Sequence, residues 1–294
     1  MKRGRKKIKN EDDAIVGVVS TFLIVGLLVA VVSVIQTVYI PKWMEQQEAE
    51  HMENVGNQFA QLKYAIGEHL VTKQEDIPIS TSITLGSKEL PFLMSSRAFG
   101  SITILPNQCT IVVTNRSNMT TFSSSIGVIK YSSANAYFLN QDYIYEAGGV
   151  ILNQKQGNTM AIKPRFLVSN EEEVSISFTI TNVSTVGGKS SMAGYGTYPI
   201  QTEFSEYNDT IPVLQNVSTI TIGTEYQNAW HRLVNGTLRN QGLNYNGYGT
   251  DYLIALNESG ITVEFTNSTT VNLDIKLIQI DAQVAPGWIE NIKG

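Results

Sequence analysis

With one cysteine, Cys109, among 294 residues, the chain cannot close an internal disulfide, so stability must come from the size of its core. Cys109 sits in the strand-like run from Gln108 to Thr114 and reads as a small buried hydrophobe. Histidine is nearly as scarce, with three copies. His51 and His69 are 18 residues apart on one predicted helix, too far to share a metal, and read as surface residues. His231 follows Trp230 with no Gly-x-Ser-x-Gly motif anywhere, so a Ser-His-Asp hydrolase lacks its parts. No grouping of His, Cys and acids has metal spacing. Gly188-Lys189-Ser190 resembles the end of a phosphate loop, but Val183 stands where that motif needs glycine. Asn244 to Asp251 offers oxygen donors in a Gly-rich stretch, yet Ala255 falls where a calcium loop places its distal Glu. No catalytic, cofactor-binding or metal residue is expected, and no cofactor. A pair of carboxylates leaves no spaced signature, so a tethered hydrolase stays open as an alternative.

Positive charge is also missing from most of the chain. Six of the 21 Lys and Arg lie in the first ten residues, which leaves residues 11 to 294 with 15 basic against 26 acidic residues, a net of −11. That balance argues against nucleic acid and against a surface that clings to anionic lipid. The six (Lys2, Arg3, Arg5, Lys6, Lys7, Lys9) run instead into the longest apolar stretch in the sequence. Ala14 to Tyr39 carries no charge, and as a helix it would be about 39 Å long, more than a ~30 Å hydrocarbon core. A secretory signal would have a shorter apolar region and a small-residue cleavage site after it. Tyr39 and Trp43 suit the membrane interface, and the basic cluster keeps the N-terminus in the cytoplasm and sends the rest outside.

Four regions follow: a basic leader (1–13), a transmembrane helix (14–40), an amphipathic stalk helix (41–76) and an extracellular head (77–294). Pro41 should kink or interrupt the helix. Beyond it Met44, Met52, Val55, Phe59, Leu62, Ile66 and Leu70 recur at mostly three- and four-residue intervals, the stripe of a helix buried along one side. That side faces the head's own sheet or neighbouring copies. After Pro78 the pattern changes to short runs rich in Ile, Val, Thr, Phe and Tyr, among them Ile79 to Leu85, Phe99 to Leu105, Cys109 to Thr114, Ile126 to Tyr131 and Val174 to Val183. Alternation is clear in Val174-Ile176-Phe178-Ile180 and Val271-Leu273-Ile275-Leu277. The fold class expected is α+β, an antiparallel β-sandwich with one inserted helix. Asn257 to Gly260 reads as a tight hairpin turn, and Ser169 to Glu173 as a stretch where two subdomains could divide. Thr224 with Gln227 predicts the N-cap of the inserted helix. Eight Asn-x-Ser/Thr sequons, at Asn115, Asn118, Asn182, Asn208, Asn216, Asn235, Asn257 and Asn267, are candidate glycosylation sites.

Glu11-Asp-Asp-Ala-Ile-Val-Gly-Val-Val19, with basic residues before it and an apolar helix after it, resembles the class III leader and N-terminal helix of archaeal type IV pilins and pilin-like surface proteins. Tyr143-Ile-Tyr-Glu-Ala-Gly-Gly-Val-Ile151 and Asn228-Ala-Trp-His-Arg-Leu233 are similar to recurring head segments of such proteins. The resemblance implies cleavage by a prepilin peptidase between Ala14 and Ile15. It also implies a non-enzymatic surface role, either as a filament subunit packed against other copies or as an anchored adhesive head. An uncleaved, membrane-tethered binding protein is the alternative.

Overall fold

Nothing in the apolar N-terminal run would end a helix, and α1 spans Arg5–Val34. A proline gives no N–H and crowds the carbonyl four residues back. Just ahead of Pro41, Ile35–Tyr39 form a π-helical turn in which the Ile40 N–H donates to the Ile35 carbonyl. The helix then continues as α2, Ile40–Thr72. Lys73 closes it in the left-handed region at φ 48°, its N–H on the His69 carbonyl at 3.0 Å and its ammonium 3.7 Å from the centre of the Tyr207 ring. This computed structural model describes residues 5–74, 77–87, 98–117, 119–208, 211–245, 249–257 and 259–284.

The strands are β1 Ile79–Thr84, β2 Phe99–Asn115, β3 Thr120–Ala134, β4 Gln141–Glu146, β5 Gly149–Gln154, β6 Gly157–Ile162, β7 Arg165–Asn170, β8 Val174–Thr185, β9 Ser191–Gly194, β10 Thr197–Asn208, β11 Val217–Gly223, β12 Tyr252–Asn257, β13 Gly260–Phe265 and β14 Val271–Val284, with helix α3, Gln227–Asn240, after β11. They form a five-stranded sheet, β1-β10-β14-β8-β7, and a nine-stranded sheet, β12-β13-β11-β2-β3-β4-β5-β6, with β9 beside the first half of β2. The runs before and after Pro106 belong to one strand. Leu105 pairs with Val128 and Cys109 with Ile126, so β2 carries two extra residues in a bulge where Asn107 has φ 55°. Glu171–Glu173 occupy the turn of the β7-β8 hairpin.

A purely antiparallel sandwich is not what forms. At the centre of the smaller sheet β8 and β14 run parallel, which the long connection between them permits, and each buries one face along its first part and the opposite face beyond it. Along β14, Val271, Leu273, Ile275 and Leu277 enter one apolar core and Ile278, Ile280, Ala282 and Val284 a second. Along β8, Val174, Ile176, Phe178 and Ile180 enter the first core and Val183 the second. The phase changes at the same level in both strands, since Leu277 pairs with Ile180 and Ile278 with Thr181. Gly127 sits beside that level. A Cβ on it would lie 2.0 Å from the Val183 carbonyl oxygen, and its N–H donates to the Asn182 side chain at 2.7 Å. The first core is covered by α3, the second by α2.

The direction of α2 follows from two contacts. Gln58 bonds the N–H and hydroxyl of Thr84, which pairs with Thr197, and His69 bonds Thr202. Those 11 helical residues span about 16 Å, and the five strand residues from Thr197 to Thr202 about 17 Å. The helix therefore lies along β10.

Candidate functional site

The inward face of α2 is apolar in the main. Met52, Val55, Phe59, Leu62 and Ile66 share a core with Ile83, Ile102, Tyr131 and Tyr143, and Phe59 stacks on Tyr143 with ring centres 5.7 Å apart. Gly56 makes room for that ring, because a Cβ there would meet the Tyr143 hydroxyl at 2.7 Å. Three polar side chains are buried in the same seam. The Glu48 carboxylate accepts the backbone N–H groups of Ala136, Tyr137 and Phe138 at 3.0, 2.7 and 2.6 Å, and so fixes the β3-β4 loop to the base of the helix. His51 and His69 are buried too, contrary to the surface positions their spacing suggests. The Tyr131 hydroxyl donates to the Leu85 carbonyl at 3.0 Å and so accepts from His51 Nε2 at 3.1 Å. His69 Nε2 donates to the Thr202 carbonyl at 3.0 Å. Desolvation lowers the pKa of both imidazoles. Each acts as a neutral hydrogen-bond donor within the buried seam.

On the opposite face of the nine-stranded sheet, the two head segments singled out in the sequence meet. Ala147 and Gly148, at φ 48° and 87°, form the two-residue turn that pairs Glu146 with Gly149. The turn points Glu146 into the first core, where its Oε1 accepts from Trp230 Nε1 at 2.6 Å and the Thr224 hydroxyl at 2.8 Å. Burial raises the carboxyl to about 7, the two hydrogen bonds oppose the rise, and Glu225 adds to it. Cys109 is buried as expected, its thiol pushed well up by desolvation first and by the Glu146 charge second. Thr224 is not the N-cap. That position is Tyr226, whose N–H donates to the Thr224 hydroxyl at 3.1 Å, while the buried N–H of Ala229 in the first turn donates to the Asn158 side chain on β6 at 2.8 Å. The Glu146–Trp230 contact links residues 84 apart in the chain, which no local pattern encodes.

Every residue from Ile15 to Tyr39 is exposed, and burial begins at Ile40. Ile15–Thr72 contains a window long and apolar enough to cross a membrane. No family model, curated protein or solved structure matches this chain. Ala14 and Ile15 lie within α1, Ile15 fully outside the head. Of the sequons, Asn118 lies outside the described residues. Asn115, Asn216 and Asn267 gather round Arg116, whose N–H donates to the Asn216 carbonyl at 3.0 Å and whose Nη1 donates to the Asn267 side chain at 2.8 Å. Asn257 is exposed in the β12-β13 turn, where its Oδ1 accepts from Ser259. Asn208 ends β10 and Asn235 is half-buried on α3, its Oδ1 accepting from Tyr252 at 2.7 Å. The Asn182 amide donates to Gln279 at 2.8 Å at the level where the sheets meet. Both carboxylate oxygens of Asp251 take protein donors, the Asn244 N–H at 2.8 Å and the Thr269 hydroxyl at 3.1 Å.

Two grooves border α2. One of ≈ 440 Å³, between the helix and β1, is lined by amides and hydroxyls such as Gln47, Asn54, Gln61 and Ser82. The other, of ≈ 250 Å³, is lined by Lys63, Tyr64, Val71 and Arg165. Among the described residues no three His, Cys, Asp or Glu side chains group as metal ligands.

Proposed function

We propose that the protein is a pilin-like, non-enzymatic surface protein of an archaeal cell, held in the cell membrane by α1 with its head outside. One observation carries this reading. A single helical run, widened once at Ile35–Tyr39, leaves all of Ile15–Tyr39 bare and apolar and then becomes a wall of the head's own core. A helix with no partner in its own chain needs lipid or other copies to cover it. The basic residues before it orient the head outward. In the filament form of this reading a prepilin peptidase cuts between Ala14 and Ile15, and α1 helices of many copies pack together, with Gly26 and Ala30 allowing close approach. α2 serves as the stalk along which the head is built. Terminal sequencing of the mature chain tests this: an N-terminus at Ile15 is expected.

The second reading is an uncleaved single-pass anchor that displays a binding or adhesive head. It is favoured by Asp12-Asp13, where the better-known cleavage sites carry Lys/Arg followed by Gly/Ala. A mature chain that still begins in the basic leader would establish it and remove the filament route.

A further inference from the structure

The end of the head that adjoins the bare helix exposes apolar side chains on a loop held rigidly to that helix. Traced back from His51 to Ile40, α2 meets first the Tyr131 hydroxyl, then the backbone of residues 136–138 through Glu48, then the Tyr137 side chain, which packs on Ile40 and Met44. The β3-β4 loop, residues 135–140, therefore stands where the bare run Ile15–Tyr39 ends. Its shape is fixed from within as well. The Asn135 N–H donates to the Asn140 side chain at 2.7 Å, and the Asn135 amide donates to the Leu139 carbonyl at 2.8 Å. No residue of the loop carries a charge, and Leu139 is 50% exposed, like Trp43 on the adjoining turn of α2; Tyr39 is 65% exposed. Phe99, the ladder partner of Ala134, meets Tyr195 edge to face with ring centres 5.4 Å apart at this same end of the sheet, and both rings are exposed.

Apolar side chains scattered over a surface need no explanation, but these stand together at one end, on a fixed loop and the helix beside it. What covers them follows from continuity with the bare helix. Ile15–Tyr39 is about 38 Å long against ~30 Å of hydrocarbon, so Tyr39 reaches the headgroup layer, and the Tyr137 contact with Ile40 brings the loop to that depth. Apolar and aromatic side chains gain there from leaving water, with no need of charge. The charges flanking Trp43 on α2 are Lys42 and Glu45, both exposed and of opposite sign, so this face has no net pull toward anionic lipid. We propose that this end of the head docks on the lipid interface, with Leu139 and Trp43 seated among the headgroups in a contact that needs no anionic lipid. The loop is then a second foothold beside the anchor, and its three bonds to Glu48 pass that hold to α2 and set the tilt of the head on the bilayer. The inference rests on the reading of α1 as a membrane anchor and applies while the chain stands in the bilayer.

The test uses the full-length chain in phosphatidylcholine bilayers, with a fluorophore on one introduced thiol at a time: Leu27→Cys in α1, Ala136→Cys in the loop, or Val71→Cys. All three sites are exposed and Cys109 is buried, so only the new thiol is labelled. Val71 lies 31 residues beyond Ile40 on α2, about 47 Å along the helix. A nitroxide deep in the acyl chain should quench the label at residue 27. A nitroxide on the lipid headgroup should quench the label at residue 136 and leave the one at residue 71 bright. Leu139→Asp in the Ala136→Cys chain should abolish that quenching, since the Asn135 bond to the residue 139 carbonyl survives the change. Quenching at residue 27 with none at residue 136, equal quenching at 136 and 71 from a head lying flat, or quenching at 136 indifferent to Leu139→Asp would each overturn the docking and leave the anchor standing. A label at residue 27 that no lipid nitroxide reaches overturns the anchor and the docking together.

Discussion

Glu146 has a folded-state pKa of about 7 against an ordinary 4.5, and the sign of its effect on stability follows. Its contribution is complete below about pH 4.5 and is lost as the pH rises through about 7, because ionisation then leaves a charge in the apolar core. Thermal unfolding of the wild type should therefore show a melting temperature that falls between about pH 5 and about pH 8 relative to Glu146→Gln, which keeps an acceptor for Trp230 and Thr224. Parallel curves for the two proteins would mean that the carboxyl is not what titrates. His51 and His69 act in the opposite sense. Their pKa values are lowered from 6.5, so what they contribute is present above that value and lost as the pH falls below it. Imidazole resonances of both should titrate below 6.5 in an NMR series, and a midpoint at or above it for either would contradict the burial. The sequons differ for a geometric reason. A glycan on Asn182 would have to replace its hydrogen bond to Gln279, whereas Asn216 and Asn257 are exposed. Glycopeptide mass spectrometry should find Asn182 unmodified whatever the occupancy at the other two.

At the scale of elements, α2 and the two sheets depend on close packing at a few points. Phe59 is fully buried, and Phe59→Ala in the full-length chain in detergent should cost about 3–5 kcal/mol in denaturant unfolding. Exposed Gln61→Ala on the same helix should stay within about 0.5 kcal/mol. Equal effects would mean that α2 does not pack on the head. Gly127→Ala forces a Cβ against the Val183 backbone, which has no flexible end to yield, and should cost about 3 kcal/mol. A melting curve unchanged by that variant would show that the sheets do not meet there. Period and residue type made most of these elements legible. The stripe from Met44 to Ile66 is the buried face of α2, and the alternation in Val174–Ile180 is the inward face of β8. What the pattern concealed has physical causes. β7, β9 and β10 carry little strand signal: β7 and β9 are short, with no run long enough to show alternation, and β10 carries Pro199 and two glutamates at Glu203 and Glu206. Pro106 looked like a strand end but lies in a bulge. The change of phase at Leu277–Ile278 is written in the sequence, yet it has a meaning only when two cores lie on opposite sides of one strand.

For the whole molecule, the proposed topology gives the clearest measurement. Protease added to intact cells should trim the head and spare the anchor, and full protection of residues 42 to 294 would reverse the orientation. The head should not depend on disulfides, with Cys109 alone and buried, so reductant should leave its melting temperature unchanged.

The sequence by itself determined the long apolar helix, its basic flank, the one-sided helix after it and the β-rich remainder, because each rests on charge and periodicity within a short window. Only the tertiary structure decided that β8 and β14 lie parallel, that Glu146 meets Trp230, that two histidines are buried, and that Lys63 faces Arg165. Those relations join residues tens to a hundred positions apart. They depend on which faces find each other when the chain closes, and local preference does not carry that information.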